Sequence, residues 1–73
     1  MNGYYKIAYV QNGIEFYVKN MIYHNINPFS KSIEIQTTLN PDLCCYITIQ
    51  DLENVLKIIR TLPNLDKIYT IQP

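Results

Sequence analysis

The sequence predicts an α+β fold, a small antiparallel sheet of three to five strands with one helix packed on one face. Two observations lead to this prediction. The first is a β-hairpin, because two alternating segments flank Asn12-Gly13, the residue pair most typical of a two-residue hairpin turn. The second is an amphipathic stretch between Thr48 and Pro63, where apolar residues recur at helical spacing. With 73 residues, the chain is expected to form a single domain over residues 1–73.

The two faces of the hairpin differ in character. One face is apolar and is predicted to belong to the core; a two-residue turn there pairs Tyr9 with Phe16 and Ile7 with Val18. The other face is half apolar, and it pairs Ala8 with Tyr17, Val10 with Glu15, and Lys6 with Lys19. Because so short a chain has little left to cover this second face, we expect it to be available to a partner.

The segment from Asn20 to Lys31 shows no clean alternation and contains Asn27-Pro28, so it is predicted to be a loop. Its apolar residues are Met21, Ile22, Tyr23, Ile26 and Phe29. Two interpretations stay open. The loop either folds back to close one end of the core, or it forms a second binding surface.

Three further strands are predicted. Ser32 to Thr38 alternates strictly, with Ile33 and Ile35 directed inward. Leu43 to Ile47 is a short apolar run that suits a brief fourth strand, and Lys67 to Ile71 is predicted to be the last strand. The predicted order is therefore β-β-β-(β)-α-β.

The predicted helix is defined by an apolar stripe and by signals at both ends. Thr48 followed by Asp51 resembles a capping box at its start, and Pro63 ends it. The residues of the stripe are Leu52, Val55, Leu56, Ile59 and Leu62. This stripe can cover one face of the sheet.

Several function classes are disfavoured by composition. Six basic residues balance six acidic ones, so no overall field attracts nucleic acid or an anionic membrane. We expect neither a membrane span nor a signal peptide. Because two cysteines are too few for a disulfide framework, a cytoplasmic location is predicted.

Residues that could carry chemistry are few. His24 is the only histidine, and Cys44 and Cys45 are adjacent. A nucleophilic pair of one cysteine with His24 is conceivable, but a surface histidine and a buried cysteine are the simpler interpretation. These three residues cannot complete a four-ligand zinc site, and neighbouring side chains on an extended segment point to opposite sides. We therefore expect no enzyme, no metal and no cofactor.

Protein binding fits more of the features, since tyrosine is enriched at interfaces and the chain has seven. The candidate partner-binding residues are Tyr4, Tyr17, Tyr23, Ile26 and Phe29. A homodimer is also expected. Two alternatives remain: a binder of single-stranded nucleic acid that stacks bases on Tyr4 and Tyr17, and a dimer that sequesters a small ligand.

The segment from Thr37 to Leu62 is similar to a pattern found in small phage-encoded accessory proteins of unknown function. In that pattern a strand ending in threonine precedes two small residues, an aromatic residue and a helix that opens with acidic residues; here the middle part is Cys44-Cys45-Tyr46. The chain departs from the pattern at Cys45, where lysine is common. The resemblance implies an accessory protein that binds and inhibits a host protein, such as a defence enzyme, in the host cytoplasm.

Overall fold

A computed structural model of the chain describes residues 3–28 and 30–71, without the side chains of residues 26, 30 and 31. Its elements, in chain order, are the strands β1 (Tyr4–Gln11), β2 (Ile14–Asn27) and β3 (Ser30–Thr38), a 3₁₀ turn (Pro41–Leu43), β4 (Ile47–Thr48), the helix α1 (Ile49–Arg60) and β5 (Leu65–Ile71). Within the described residues, the strands form one five-stranded antiparallel sheet with one helix. The predicted α+β fold is confirmed.

The central strand of the sheet is β1. Both β2 and β5 pair with its stretch from Ala8 to Gln11, so they must lie on opposite sides of it. Farther along the sheet β3 pairs with β2, and the short β4 pairs with Tyr4 and Tyr5 at the beginning of β1. The order across the sheet is therefore β3-β2-β1-β5, with β4 beside the first residues of β1.

The first hairpin turns at Asn12 and Gly13, both with positive φ (53° and 77°), as a type I′ turn requires. The predicted pairing of Tyr9 with Phe16 is present, as are those of Ala8 with Tyr17 and of Val10 with Glu15. The predicted pair of Lys6 and Lys19 is absent. The pairing of β1 with β2 ends at Ala8 and Tyr17, one residue before the predicted pair of Ile7 and Val18. There the carbonyl of Val18 accepts a hydrogen bond from the backbone of Cys45 at 3.0 Å, so the segment before β4 enters where β2 leaves β1.

The prediction of a loop from Asn20 to Lys31 is wrong, because β2 continues to Asn27 and pairs with β3 along its length. The physical reason is a β-bulge at Lys19, which has no partner between the pairs formed by Val18 and Asn20. The extra residue shifts the alternation by one, so that Met21 packs on the same side as Val18. An alternation that changes phase has no clean period in the sequence, which is why the segment looked irregular.

The core lies between α1 and one side of the sheet, which we call the inner face. Helix residues Val55 and Ile59 are fully buried there against the sheet. Tyr9 stacks on Phe16, with ring centroids 5.3 Å apart. At about 1.5–3 kcal/mol for each large apolar side chain that is fully buried, this cluster provides most of the stability of the fold. Its buried members are Ile7, Tyr9, Val18, Ile47, Val55, Leu56 and Ile59.

The helix begins after Thr48 and ends at Arg60, three residues before Pro63. Thr48 occupies the N-cap position, as the capping-box pattern predicts. Its side chain makes no capping hydrogen bond to the helix backbone, however. The hydroxyl instead donates to the Asp51 carboxylate at 3.1 Å, so the two side chains pair with each other.

Candidate functional site

The side of the sheet opposite α1, here called the outer face, carries the candidate site. Because opposite residues in a strand pair share a face, the register assigns its members. Ala8 lies opposite Tyr17 of β2 and Tyr69 of β5, and Lys6 lies opposite Ile71. The outer face comprises Tyr4, Lys6, Ala8, Val10, Glu15, Tyr17, Tyr46, Lys67, Tyr69 and Ile71.

Two tyrosines at the centre of the outer face are held by one carboxylate. The hydroxyl of Tyr17 donates to Glu15 at 3.0 Å, and the hydroxyl of Tyr69 donates to the other oxygen of the same carboxylate. Ala8 lies between the two tyrosines and is 0% exposed. Strands β2 and β5 are thereby joined by a side-chain hydrogen bond across β1.

The hydrogen bond to Glu15 raises the pKa of Tyr17, with further contributions in the same direction from burial and from the Glu15 charge. A raised pKa means that the neutral phenol is favoured. The outer face therefore presents Tyr17 as a hydrogen-bond donor engaged with Glu15, and it is not set up to supply a phenolate nucleophile.

The beginning of β1 carries the most exposed aromatic residues of the outer face. Tyr4 is 47% exposed and Tyr46 is 54% exposed, while Ile71 is exposed at the end of β5. The ammonium group of Lys6 lies over the ring of Tyr46, 4.9 Å from its centroid. A cation over an aromatic face is an attractive arrangement that restricts both side chains.

A second lysine and tyrosine pair lies on β5. The ammonium group of Lys67 is 5.3 Å from the centroid of the Tyr69 ring. Among the described residues, no carboxylate lies within ion-pair distance of either Lys6 or Lys67. Both cations therefore rest on aromatic rings and keep their hydrogen-bond donors available.

Cys44 is buried, and Cys45 is half-buried against the core. The thiol of Cys44 is buried and donates to the carbonyl of Ile7 at 3.7 Å. Burial raises the pKa of the Cys44 thiol despite the opposing influence of the nearby Lys6 charge, and burial also raises the pKa of Cys45. Both thiols are thus held in their weakly nucleophilic protonated form.

His24 lies on the ribbon formed by β2 and β3, where its Nε2 is 3.0 Å from the carboxylate of Glu34. Both side chains are exposed. Among the described residues, no three His, Cys, Asp or Glu side chains are grouped so that they could hold a metal ion.

The predicted partner-binding residues do not form one site. Tyr4 and Tyr17 share the outer face, but Tyr23 lies on the inner side of the ribbon, where its hydroxyl donates to Asp51 of α1. That hydrogen bond raises the pKa of Tyr23. Phe29 and the side chain of Ile26 lie outside the part of the chain that the structure describes.

Sequence reasoning missed Tyr46 and Tyr69, which complete the aromatic outer face. Tyr69 alternates with Lys67 and Ile71, a pattern that predicts a shared face but leaves the choice of face open. Tyr46 lies between Cys45 and Ile47, both of which pack towards the core, so alternation along the predicted strand places it on the opposite side.

No described helix is long and apolar enough to cross a membrane. No protein-family model matches the chain, and no curated protein or solved structure is significantly similar to it.

Proposed function

We propose that this chain is a non-enzymatic protein-binding module whose outer face is the binding surface. The observation that carries the proposal is the cluster of four tyrosines on one side of the sheet, of which Tyr4 and Tyr46 are about half exposed. Tyrosine offers a large, rigid contact area with a polar tip, the combination that recurs in the energetically dominant parts of protein interfaces.

Preorganisation supports the same proposal. Tyr17 and Tyr69 are fixed by Glu15, and Tyr46 and Tyr69 each lie beneath a lysine. Side chains that are already ordered lose less conformational entropy when a partner binds, so more of the contact energy appears as affinity. The outer face therefore has the properties of a rigid surface for docking.

Single-stranded nucleic acid is the second candidate ligand, because bases stack on tyrosines of an open sheet face. The observation in its favour is that Lys6 and Lys67 accompany the tyrosines. Against it, the chain has no net charge. Phosphate neutralisation normally supplies much of the affinity of such binders.

The role in the cell is proposed from the resemblance to phage-encoded accessory proteins. In this proposal the module occupies a functional surface of a host protein, such as a defence enzyme, in the host cytoplasm, and so inhibits it. Self-association is part of the proposal, since a chain of this length buries little surface by itself. The unpaired edge of β3, at the end of the described sheet, could pair with a second copy and leave the outer face open.

The proposal is tested by affinity capture from a lysate of the natural host, with and without nuclease. The bait is compared with a Tyr4→Ser, Tyr46→Ser double variant. The matched control is Ile14→Ser, because Ile14 is 51% exposed and its pairing with Gln11 places it on the inner face. We expect one dominant protein that resists nuclease, is retained by the control and is lost from the double variant.

Two outcomes would contradict the proposal. A captured protein that the double variant retains would show that the outer face is not the binding surface. A captured set that nuclease abolishes would favour the nucleic-acid alternative. Circular dichroism of each bait establishes that the exposed substitutions have left the fold intact.

A further inference from the structure

The outer face combines its aromatic surface with two cations that have no acidic partner among the described residues. Lys6 and Lys67 contact the rings of Tyr46 and Tyr69 through their ammonium groups. A lysine ammonium has three donors, and a ring face occupies only one side of it. Each ammonium group can therefore donate to a carboxylate of a ligand without losing its aromatic contact.

The one carboxylate at the centre of the outer face lies beyond ion-pair distance of these lysines. Glu15 already accepts hydrogen bonds from the hydroxyls of Tyr17 and Tyr69, one at each oxygen. The outer face thus presents two cations with unused donors and one anion that is engaged. Its charge is complementary to an acidic ligand.

The register fixes the spacing of the two cations. Lys6 lies opposite Ile71, and Lys67 lies four residues before Ile71 on β5. Their Cα atoms are therefore about 13 Å apart along the strand direction. Because Lys67 leans over Tyr69, which lies between Lys67 and Ile71, its ammonium group is nearer to Lys6 than its Cα is.

We infer that the outer face binds an extended acidic segment of a partner protein, in which two carboxylates four residues apart flank an apolar side chain midway between them. Residues at these spacings share one side of an extended chain. The carboxylates would reach Lys6 and Lys67, and the apolar side chain would lie over Tyr69. This inference rests on the proposed function and names its ligand class.

A second copy of the chain is a poorer occupant of this surface. Two outer faces placed together would bring four lysines against two Glu15 carboxylates that are already hydrogen-bonded. Like charges brought together across an interface oppose association. The observations therefore favour a partner that supplies its own unpaired carboxylates.

The test is a selection of random linear peptides displayed against the full chain at low ionic strength. Enriched peptides are synthesised, and their dissociation constants are measured by fluorescence anisotropy. The protein variants are Lys6→Gln and Lys67→Gln, with Lys57→Gln as control because Lys57 is exposed on α1. An oligothymidine strand is measured in parallel.

We expect the enriched peptides to contain aspartate or glutamate at the stated spacing. Each outer-face lysine substitution should weaken binding about three- to tenfold, and the control should leave it unchanged. Replacing the peptide carboxylates by amides should have the same effect as replacing the lysines.

The inference is overturned if no peptide is enriched, if the enriched peptides lack the acidic spacing, or if neither Lys6→Gln nor Lys67→Gln weakens their binding. Peptides without acidic residues that bind wild type but not Tyr46→Ser would overturn the inference and leave the proposed function standing. Oligothymidine bound more tightly than any peptide would overturn both.

Discussion

Tyr69 of β5 and Glu15 of β2 are hydrogen-bonded across the central strand, although 54 positions separate them in the sequence. The bond closes the outer face over Ala8, because Tyr17 donates to the same carboxylate from the other side. The last strand is in this way tied by a side chain to the first hairpin. Glu15 therefore holds two tyrosines of the outer face in place through one carboxylate.

Substitution of Glu15 tests this arrangement through the ionisation of Tyr17. In the folded chain the hydrogen bond from Tyr17 to Glu15 raises the pKa of Tyr17 above its ordinary value of 10.0. Glu15→Ala should move that pKa back towards 10.0, as measured by ultraviolet absorbance of tyrosinate during a titration. Tyr17→Phe identifies the transition that belongs to this residue.

The same raised pKa gives stability a defined dependence on pH. Since the folded state holds the Tyr17 proton more tightly than the unfolded state, this contribution is complete below pH 10.0 and is lost as the pH rises through the folded pKa. Denaturation midpoints of wild type should therefore fall more steeply above pH 10 than those of Tyr17→Phe. Parallel curves for the two proteins would contradict the assignment.

The stability of the first hairpin turn should depend on the backbone conformation of Gly13 and not on the room around it. Gly13 has φ +77°, and an added Cβ would meet no atom within 4 Å. Gly13→Ala should therefore destabilise the fold by about 1–2 kcal/mol through strain alone. Chemical synthesis with D-alanine at this position should leave the fold at least as stable as wild type. If L-alanine and D-alanine lower the free energy of unfolding equally, the added methyl group and not the backbone strain is responsible.

A graded pair of core substitutions tests the packing of α1 on the sheet. Ile59 is fully buried, so Ile59→Val should cost about 0.5–1.5 kcal/mol and Ile59→Ala about 2–5 kcal/mol in denaturant unfolding. Ile49→Val, on the exposed side of the helix, should change the free energy of unfolding by less than about 0.5 kcal/mol. Equal effects at the two positions would place the core elsewhere.

Cysteine labelling should report the burial of both thiols. Burial raises the pKa of Cys44 and of Cys45, so less of each is thiolate at neutral pH. Iodoacetamide should modify the folded chain more slowly than the denatured chain, with the difference shrinking as the pH is raised. Mass spectrometry of digested protein follows the modification, and rapid labelling of either residue at pH 7 would contradict the packing.

The assembly state is checked by light scattering. The predicted homodimer has twice the chain mass of 8.6 kDa. If the edge of β3 forms the contact, Thr37→Pro should give a monomer, because the register directs the backbone N–H of Thr37 away from β2 and proline removes that donor. A monomer at high micromolar concentration in wild type would refute self-association.

The parts of the fold that follow from local chemistry could be predicted from the sequence. Asn12-Gly13 sets the turn and hence the register of Tyr9 with Phe16, and the stripe around Val55 and Ile59 defines the helix. The bulge at Lys19 could not be predicted in this way. A bulge is selected by packing on both sides of it, and a sequence that shifts phase resembles a loop.

The candidate site was harder to predict than the fold. Tyr17 and Tyr4 follow from the hairpin, but Tyr69 joins them only because β5 returns to pair with β1. Nothing near Tyr69 in the sequence specifies that partner. Tyr17 and Tyr23, which the sequence assigned to two separate surfaces, lie on opposite sides of the sheet because of the phase shift between them.

The bulge at Lys19 makes β2 tolerant of a deletion at this one position. Removing this exposed residue would place Met21 two positions after Val18, so an unbroken alternation would keep Met21 and Tyr23 on the side that faces α1. A pairing that instead kept Lys19 in the ladder would turn Met21 and Tyr23 outward and bring Ile22 and His24 towards α1. The choice between these two pairings decides which surface of the ribbon meets the helix, and the bond from Tyr23 to Asp51 forms only in the bulged one.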